Sequence, residues 1–523
     1  MGYSMAPRSS PTRQRHLSLC ERNTFISPYV DQILYTQTPC LAIRRETVNA
    51  WERRAPLAPQ HVKSLIEKGI KVLVQPFDNR AYSHEEYVKA GAIIREDLSE
   101  AQLVMSVKQV KIEDLLHNKT YAFFSHTIKG QAENMPMLDV ILKRKIRLID
   151  YERICDNDEK RLVMFGKWAG YAGFLDILHG LGKRLKILGH TNNPFEKISM
   201  AHNYFDSKEA IEALNECGKE ILNGCLPNEH GPIIFVFTGT GNVSQGAREL
   251  FKHLPHEYVE PEKLSEIVKH GSMNKIYGCV ISRKHHLARK TDGLFDAEEF
   301  EKYPDRYESN FITKIAPYAS VIINGLFWRA NDPRIIKTID SSKLSSKLIA
   351  ICDISADPNG SIEFMTECTT IERPFVIYNP ETNATTSRLT EPGILICSID
   401  NMPAQMPREA TEHFGNLLLP FVEDMLNAAR ETRYEKIKCG SEIKNSIITS
   451  NGKLTAKYEY IHELMINQLG RKQDSCLEEI DDYEENDFTL KSECGQQFSK
   501  SFDSASLLKI MSQKKTFTQH NRA

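Results

Sequence analysis

The chain has 523 residues, 41% of them apolar and 26% charged, which is material for two or three domains around a large buried core. A formal net charge of -2 gives no electrostatic ground for a nucleic-acid or membrane partner, and no apolar run reaches the roughly 18 residues of a membrane span. The 12 cysteines are scattered without a CxxC pair, so neither a disulfide framework nor a metal site is expected, and the expected partners are small molecules.

The N-terminus carries Arg8, Arg13 and Arg15 with four serines and no acid in its first 20 residues. That composition fits a mitochondrial (matrix) targeting segment and equally a disordered tail. Leu41, Ala42 and Ile43 open the ordered part. The spacing of Val62, Leu65 and Ile66 predicts a helix over 59–68, stopped by Gly69. Strands are predicted at 72–74, 103–107, 122–124 and 146–149, with helical segments between them, the alternation of a parallel α/β layer. Residues 168–188 have apolar residues at helical spacing and no proline, and predict a long helix that carries the chain into a second domain.

Next comes GPIIFVFTGTGNVSQGAREL. Residues 233–237 read as a buried strand, Gly239, Thr240 and Gly241 as a tight turn, and 244–250 as a helix, with Asn242 and Val243 completing the loop. In a dinucleotide site the first glycine permits the turn, the second lets the backbone approach the pyrophosphate, and the helix N-terminus meets its charge. Ser244 stands at the third position of the pattern and is small enough for close helix packing. Further strands are predicted at 320–323, 348–354 and 393–399 and a helix at 407–426, whereas residues 252–346 are polar and irregular and yield no strand order. The acidic run LEEIDDYEEND and the Ser-, Lys- and Gln-rich residues after it read as disordered.

Several polar residues stand where predicted strands end. Arg54, in NAWERRAPLAP, has the fork geometry to hold a substrate carboxylate. Lys108 emerges from an apolar strand, where partial burial suits it to proton transfer, and His126 follows the next strand, with Gln131 close by. Singly, each is more often a surface or structural residue. Together, at the carboxyl ends of neighbouring strands, they mark the crevice in which ligands of open α/β sheets bind. Lys160, Arg161 and Phe165 offer cations for carboxylates and an aromatic cover. Glu260 follows Gly239 at roughly the 20-residue offset of the acid that takes the ribose hydroxyls of NAD, with Lys263 nearby to offset it. Asp353, Ile354, Ser355, Asp357 and Asn401 follow two apolar strands and are candidates to border a nicotinamide.

The motifs NAWERRAPLAP, KTYAFFSHTIK, RLIDYE, FVFTGTGNVSQGA, CDISADPNGSIEFMTECTTIE and CSIDNMPAQMP are long and specific. On them the chain resembles the lysine–2-oxoglutarate reductase half of animal alpha-aminoadipic semialdehyde synthase and, more distantly, the lysine-forming saccharopine dehydrogenases and alanine dehydrogenase. The resemblance implies an α/β fold of two Rossmann-like domains with parallel sheets, a discontinuous substrate domain and an active site in the cleft between them. In that layout 1–38 is the targeting or disordered segment and 39–167 begins the substrate domain. Residues 168–390 form the nucleotide domain with its linking helix, 391–470 return, and 471–523 form the tail. It also implies a reaction in which L-lysine condenses with 2-oxoglutarate and the imine is reduced to L-saccharopine, normally with NADPH.

By that resemblance Lys108 and His126 are the acid–base pair, Arg54, Gln131, Arg161 and Phe165 contact substrate, and Gly239 to Val243 hold the pyrophosphate. Glu260 takes the ribose position, and Asp353 to Ser355 with Asp357 and Asn401 lie near the nicotinamide. The residues themselves leave NADP against NAD open, as they do assembly into a homo-oligomer. After Arg471 the only glycine is Gly495, so no second dinucleotide loop is available, and a separate saccharopine dehydrogenase is expected to take the product. The alternatives are a related NAD-dependent amino-acid dehydrogenase and a catalytically silent regulator that binds lysine or nucleotide.

Overall fold

The computed structural model describes residues 38–469; the arginine-rich segment and the acidic tail lie outside the described residues. Two eight-stranded sheets organise the described chain. The first is built from β1 (Cys40–Ile43), β2 (Lys71–Val74), β3 (Ile93–Ile94), β4 (Leu103–Met105), β5 (Thr120–Phe123) and β6 (Arg147–Asp150). The second takes β7 (Ile234–Thr238), β8 (His256–Tyr258), β9 (Ile276–Ile281), β12 (Val321–Asn324), β13 (Ala350–Asp353), β14 (Val376–Asn379), β15 (Ala384–Thr386) and β16 (Ile394–Cys397). β10 (Leu287–Arg289) and β11 (Tyr307–Ser309) pair separately. β17 (Ile447–Ser450) and β18 (Lys453–Leu454) return to complete the first sheet, beside β6.

Both sheets are mainly parallel, with antiparallel strands added at one edge of each: β17 and β18 in the first, β14 and β15 in the second. A parallel strand is covered on both faces, so its sequence is a continuous apolar run and not an alternation. In β1, Leu41 and Ile43 enter one core while Cys40 and Ala42 enter the core on the opposite face. In β7, Phe235 and Phe237 face one way and Ile234 and Val236 the other. The architecture is α/β with two Rossmann-like domains.

The order of the first sheet is β18-β17-β6-β5-β4-β1-β2-β3, and that of the second is β15-β14-β16-β13-β12-β7-β9-β8. In the first, β1 is flanked by β2 and β4; in the second, β7 is flanked by β9 and β12. Each is a point where successive crossovers leave in opposite directions, opening a crevice at the carboxyl ends of the strands.

The predicted long helix is Gly166–Ile187, with Phe165 at its N-cap. It crosses the glycine-loop helix Asn242–Phe251 at two glycines. A Cβ on Gly170 would stand 2.0 Å from the Val243 carbonyl oxygen, and one on Gly246 would stand 2.1 Å from that of Lys167. These two glycines let the two helices meet closely, and Ser244, at the third fingerprint position, is buried. The helix expected over 407–426 is interrupted: Pro407–Leu418 and Val422–Arg430 are separated by a 3-10 turn, Leu419–Phe421, because Pro420 cannot continue the ladder of hydrogen bonds. In the irregular stretch β9, β10 and β11 were all missed, and of these β9 belongs to the second sheet. Its interior Gly278 has no side chain because the Phe251 and Tyr258 rings close over it, each 2.9 Å from where a Cβ would sit.

Candidate active site

A cavity of about 1250 Å³ is lined by the carboxyl ends of strands from both sheets. From the first come Arg54, in the segment after β1, Lys108 after β4, Phe124 and His126 after β5, and Glu152 after β6. From the second come Gly239 to Val243 after β7, Ser282 to Lys284 after β9, and Gly325 to Trp328 after β12. Arg161, Met164 and Phe165 enter on the segment that leads into the long helix, and Asn401 on the segment after β16.

Arg54 is buried, and its position is set by three contacts. Its Nε and Nη2 donate to the two oxygens of Glu52, each at 2.7 Å, and Nη2 also donates to the Asn401 side-chain oxygen at 2.7 Å. The Asn401 amide donates in turn to Glu52 at 3.0 Å. Asn401 holds this bridge from a left-handed backbone, φ 63°, which asparagine tolerates better than most residues. The Arg54 guanidinium lies 4.2 Å over the Phe165 ring, and the other face of Phe165 stacks on Phe414 with centroids 4.4 Å apart. Burial opposes the charge of Glu52, but Arg54 and Asn401 outweigh it and hold its pKa below the ordinary value. Much of the Arg54 fork is therefore committed within the protein, where it contributes a fixed positive charge to the cavity wall.

Lys108 is half-buried. Burial first, and then the neighbouring Arg54 charge, push its pKa down, against the attraction of Glu52, Asp400 and Glu46. Its backbone is clamped: the buried carboxylate of Glu46 accepts the Val107 N–H at 2.6 Å and the Lys108 N–H at 3.1 Å. Burial and the nearby Glu52 push the Glu46 pKa upward. His126 also has a left-handed backbone, φ 53°, a strained state for a histidine that persists only where the surroundings enforce it. Its Nδ1 lies 3.8 Å from Glu152, which also accepts a 2.6 Å hydrogen bond from Arg161. Burial lowers the His126 pKa; Glu152 opposes that fall, and the Lys108 and Arg161 charges add to it. Lys108 and His126 thus follow the ends of adjacent parallel strands, both shifted toward neutrality, with carboxylates behind them.

The nucleotide side is built from backbone. Gly239 takes φ +80°, and a Cβ there would stand 3.1 Å from the Gly325 oxygen. A Cβ on Gly241 would meet nothing within 4 Å, leaving room for a ligand against the main chain. Gly241 is the N-cap of the next helix, and no side chain caps it, so the first N–H groups are left for an anion. Glycine cradle, uncapped helix and open space together fit a pyrophosphate.

Other expected residues are not brought to this cavity. Glu260 is exposed beyond β8, and β8 is the edge strand, separated from β7 by β9. The 20-residue offset assumes that the strand after the glycine helix lies next to the glycine strand, and here it does not. Gln131 is exposed at the start of the 3-10 turn Ala132–Asn134. Asp353 is buried in a polar belt along the strand ends, accepting from Asn324 at 2.8 Å and from Ser355 at 2.6 Å, while Asn324 accepts from Thr238 at 2.6 Å. Ile354 joins the core and Asp357 is exposed. None of Glu260, Gln131, Asp353, Ile354, Ser355 and Asp357 lines the cavity. Sequence reasoning missed Glu46, Glu52 and Glu152 as supports of the site, and Ser282 to Lys284; RLIDYE contains Glu152 and NAWERRAPLAP contains Glu52, but nothing in either string singles out the acid.

Among the described residues no group of three or more His, Cys, Asp or Glu is placed to hold a metal ion, and no helix is long and apolar enough to cross a membrane. Residues 42–172 match the family model "Alanine dehydrogenase/PNT, N-terminal domain" and residues 280–457 match "Alanine dehydrogenase/PNT, C-terminal domain", together more than half of the 523 residues. The chain belongs to the alanine dehydrogenase/PNT family. Within reach of this family, it is 52% identical over 443 residues to the mitochondrial alpha-aminoadipic semialdehyde synthase of Mus musculus, an alignment covering 82% of this chain and 48% of the mouse protein. The chain therefore spans about half the length of such relatives. It is 25% identical over 398 residues to the saccharopine dehydrogenase [NAD(+), L-lysine-forming] of Candida glabrata, covering 74% of this chain and 91% of that protein. Among solved structures, an L-alanine dehydrogenase superposes with a TM-score of 0.52 at 16% identity, covering 82% of this chain and 99% of the other, which supports the alanine dehydrogenase/PNT fold.

Proposed function

We propose that this chain is a mitochondrial oxidoreductase that condenses the ε-amine of L-lysine with the ketone of 2-oxoglutarate and reduces the imine to L-saccharopine, with NADPH as cofactor. The observation that carries the proposal is the meeting, in one cavity, of an acid–base pair from the first sheet with a dinucleotide loop from the second. The similarity to the mouse synthase and to a lysine-forming saccharopine dehydrogenase supports the choice of substrates, and the name of the mouse protein supports the location. A nicotinamide nucleotide is the cofactor class of these dehydrogenase families.

The side chains divide the work by charge. The cationic form of Lys108 is disfavoured by burial and by Arg54, so Lys108 is the group that takes the proton from the attacking amine. Burial lowers the His126 pKa and so makes its imidazolium a ready proton donor, while Glu152 offsets part of that fall, so His126 delivers the proton to the departing hydroxyl of the carbinolamine. Arg54 and Arg161 supply positive charge for the several carboxylates of the substrates, and Phe165 covers the apolar stem between them. Gly239 to Val243 hold the cofactor, which supplies the hydride.

The test is oxidation of NADPH by the purified chain. Turnover should require L-lysine and 2-oxoglutarate together. Turnover with pyruvate and ammonia in their place would overturn the substrate assignment, and no turnover with any of these, despite nucleotide binding, would make the protein a silent binder.

A further inference from the structure

The strand order of the second sheet locates a part of the cofactor site that the spacing from the glycine loop misplaces. β9, not β8, is the parallel neighbour of β7: Thr238 pairs with Ile281, and the Gly239 N–H donates to the Ile281 carbonyl at 2.8 Å. In a doubly wound sheet, the strand adjacent to the glycine strand ends beside the adenosine ribose. An acid at that end takes the ribose hydroxyls, whereas a cation there accepts a 2′-phosphate. The residues that leave β9 are Ser282, Arg283 and Lys284, and all three line the cavity. The position thus carries a hydroxyl and two cations in place of a carboxylate.

We infer that Ser282, Arg283 and Lys284 form the subsite for the 2′-phosphate of the cofactor's adenosine ribose, and so select a phosphorylated over an unphosphorylated dinucleotide. The inference rests on the reading of the glycine loop as a nicotinamide-nucleotide site, and it deepens that reading by naming the residues that discriminate. The three side chains differ in readiness. Arg283 is held by an ion pair with Glu301 and lies 5.1 Å over the Phe300 ring; Glu301 is shared with Arg329 at 2.7 Å. Arg329 is also paired with Asp332 at 2.9 Å, so both guanidinium charges are balanced within the protein. Lys284 is exposed, with no ion pair to any described residue, and is free to turn onto a phosphate. Ser282 is fixed at the strand end by its N–H, which donates to His285 Nδ1 at 3.1 Å.

The test is calorimetric titration of the full chain with adenosine 2′,5′-bisphosphate and with 5′-AMP, which differ only in the 2′-phosphate. The wild type should bind the bisphosphate more tightly, and Lys284→Ala, a change at an exposed side chain that leaves the fold intact, should weaken it by about tenfold or more, the value of a charge-assisted hydrogen bond. Binding of 5′-AMP should stay within about twofold of wild type, since its contacts are to the glycine loop. Equal binding of the two nucleotides by the wild type, binding of neither, or an unchanged preference in Lys284→Ala overturns the subsite. Discrimination that persists in a protein unable to turn over L-lysine and 2-oxoglutarate upholds the subsite and removes the proposed reaction instead.

Discussion

The two rims of the cavity are made in different ways. The rim from the first sheet is made of side chains: Lys108 and His126, shifted toward neutrality by burial and neighbouring charges, and Arg54 and Glu152, held by ion pairs. The rim from the second sheet is made largely of main chain, with Gly239 and Gly241 keeping space that any Cβ would narrow. Proton transfer needs groups whose protonation can change, so it draws on titratable side chains. Holding a pyrophosphate needs fixed N–H dipoles and close approach, which backbone provides. Substitutions on the first rim should therefore act on turnover with little effect on folding, and those on the second should act through packing and binding.

The largest effect is expected on the first rim. Lys108→Met and His126→Gln should each lower kcat by roughly 10²- to 10⁴-fold, the usual contribution of a positioned acid or base, with thermal melting close to wild type. Turnover near the wild-type rate in both would remove the acid–base assignment. Behind the second rim, on the long helix, Gly170→Ala forces a Cβ against the Val243 carbonyl. It should cost about 1–3 kcal/mol, as overpacking does, seen as a lower urea midpoint, and should weaken nucleotide binding as the loop shifts.

A smaller change separates the members of the first rim from each other. The Glu152 charge raises the His126 pKa against burial, so Glu152→Gln should lower it further. His126 then loses its proton at lower pH, and if it acts as the acid, the alkaline limb of the kcat/KM profile moves down in pH. A shift upward would contradict the assignment. The smallest effect is expected at Glu260: with β9 between β8 and the glycine strand, Glu260→Gln should change the ratio of kcat/KM for NADPH and NADH by less than about twofold, because an exposed charge that does not line the cavity is screened by solvent.

The same contrast explains what could be read from the sequence. Lys108 and His126 were legible because a parallel strand buried on both faces is a continuous apolar run, and the first polar residues after it mark the binding edge of the sheet. The glycine loop was legible because strand, turn and helix are contiguous. Glu152 and Glu46 were not, since an acid after a strand is common and only the fold brings these to His126 and to the Lys108 backbone. Ser282 to Lys284 were hidden for a further reason: β9 contains Gly278 in a polar stretch, and its place between β7 and β8 is a matter of strand order, which no local pattern encodes. Glu260 failed for that same cause.

The most direct test of the central claim is identification of the product by mass spectrometry after incubation of the purified chain with L-lysine, 2-oxoglutarate and NADPH. The account predicts saccharopine, formed in amount equal to the NADPH consumed and absent when either substrate is omitted. NADPH consumption without saccharopine, or formation of an amino acid from 2-oxoglutarate and ammonia alone, would contradict it.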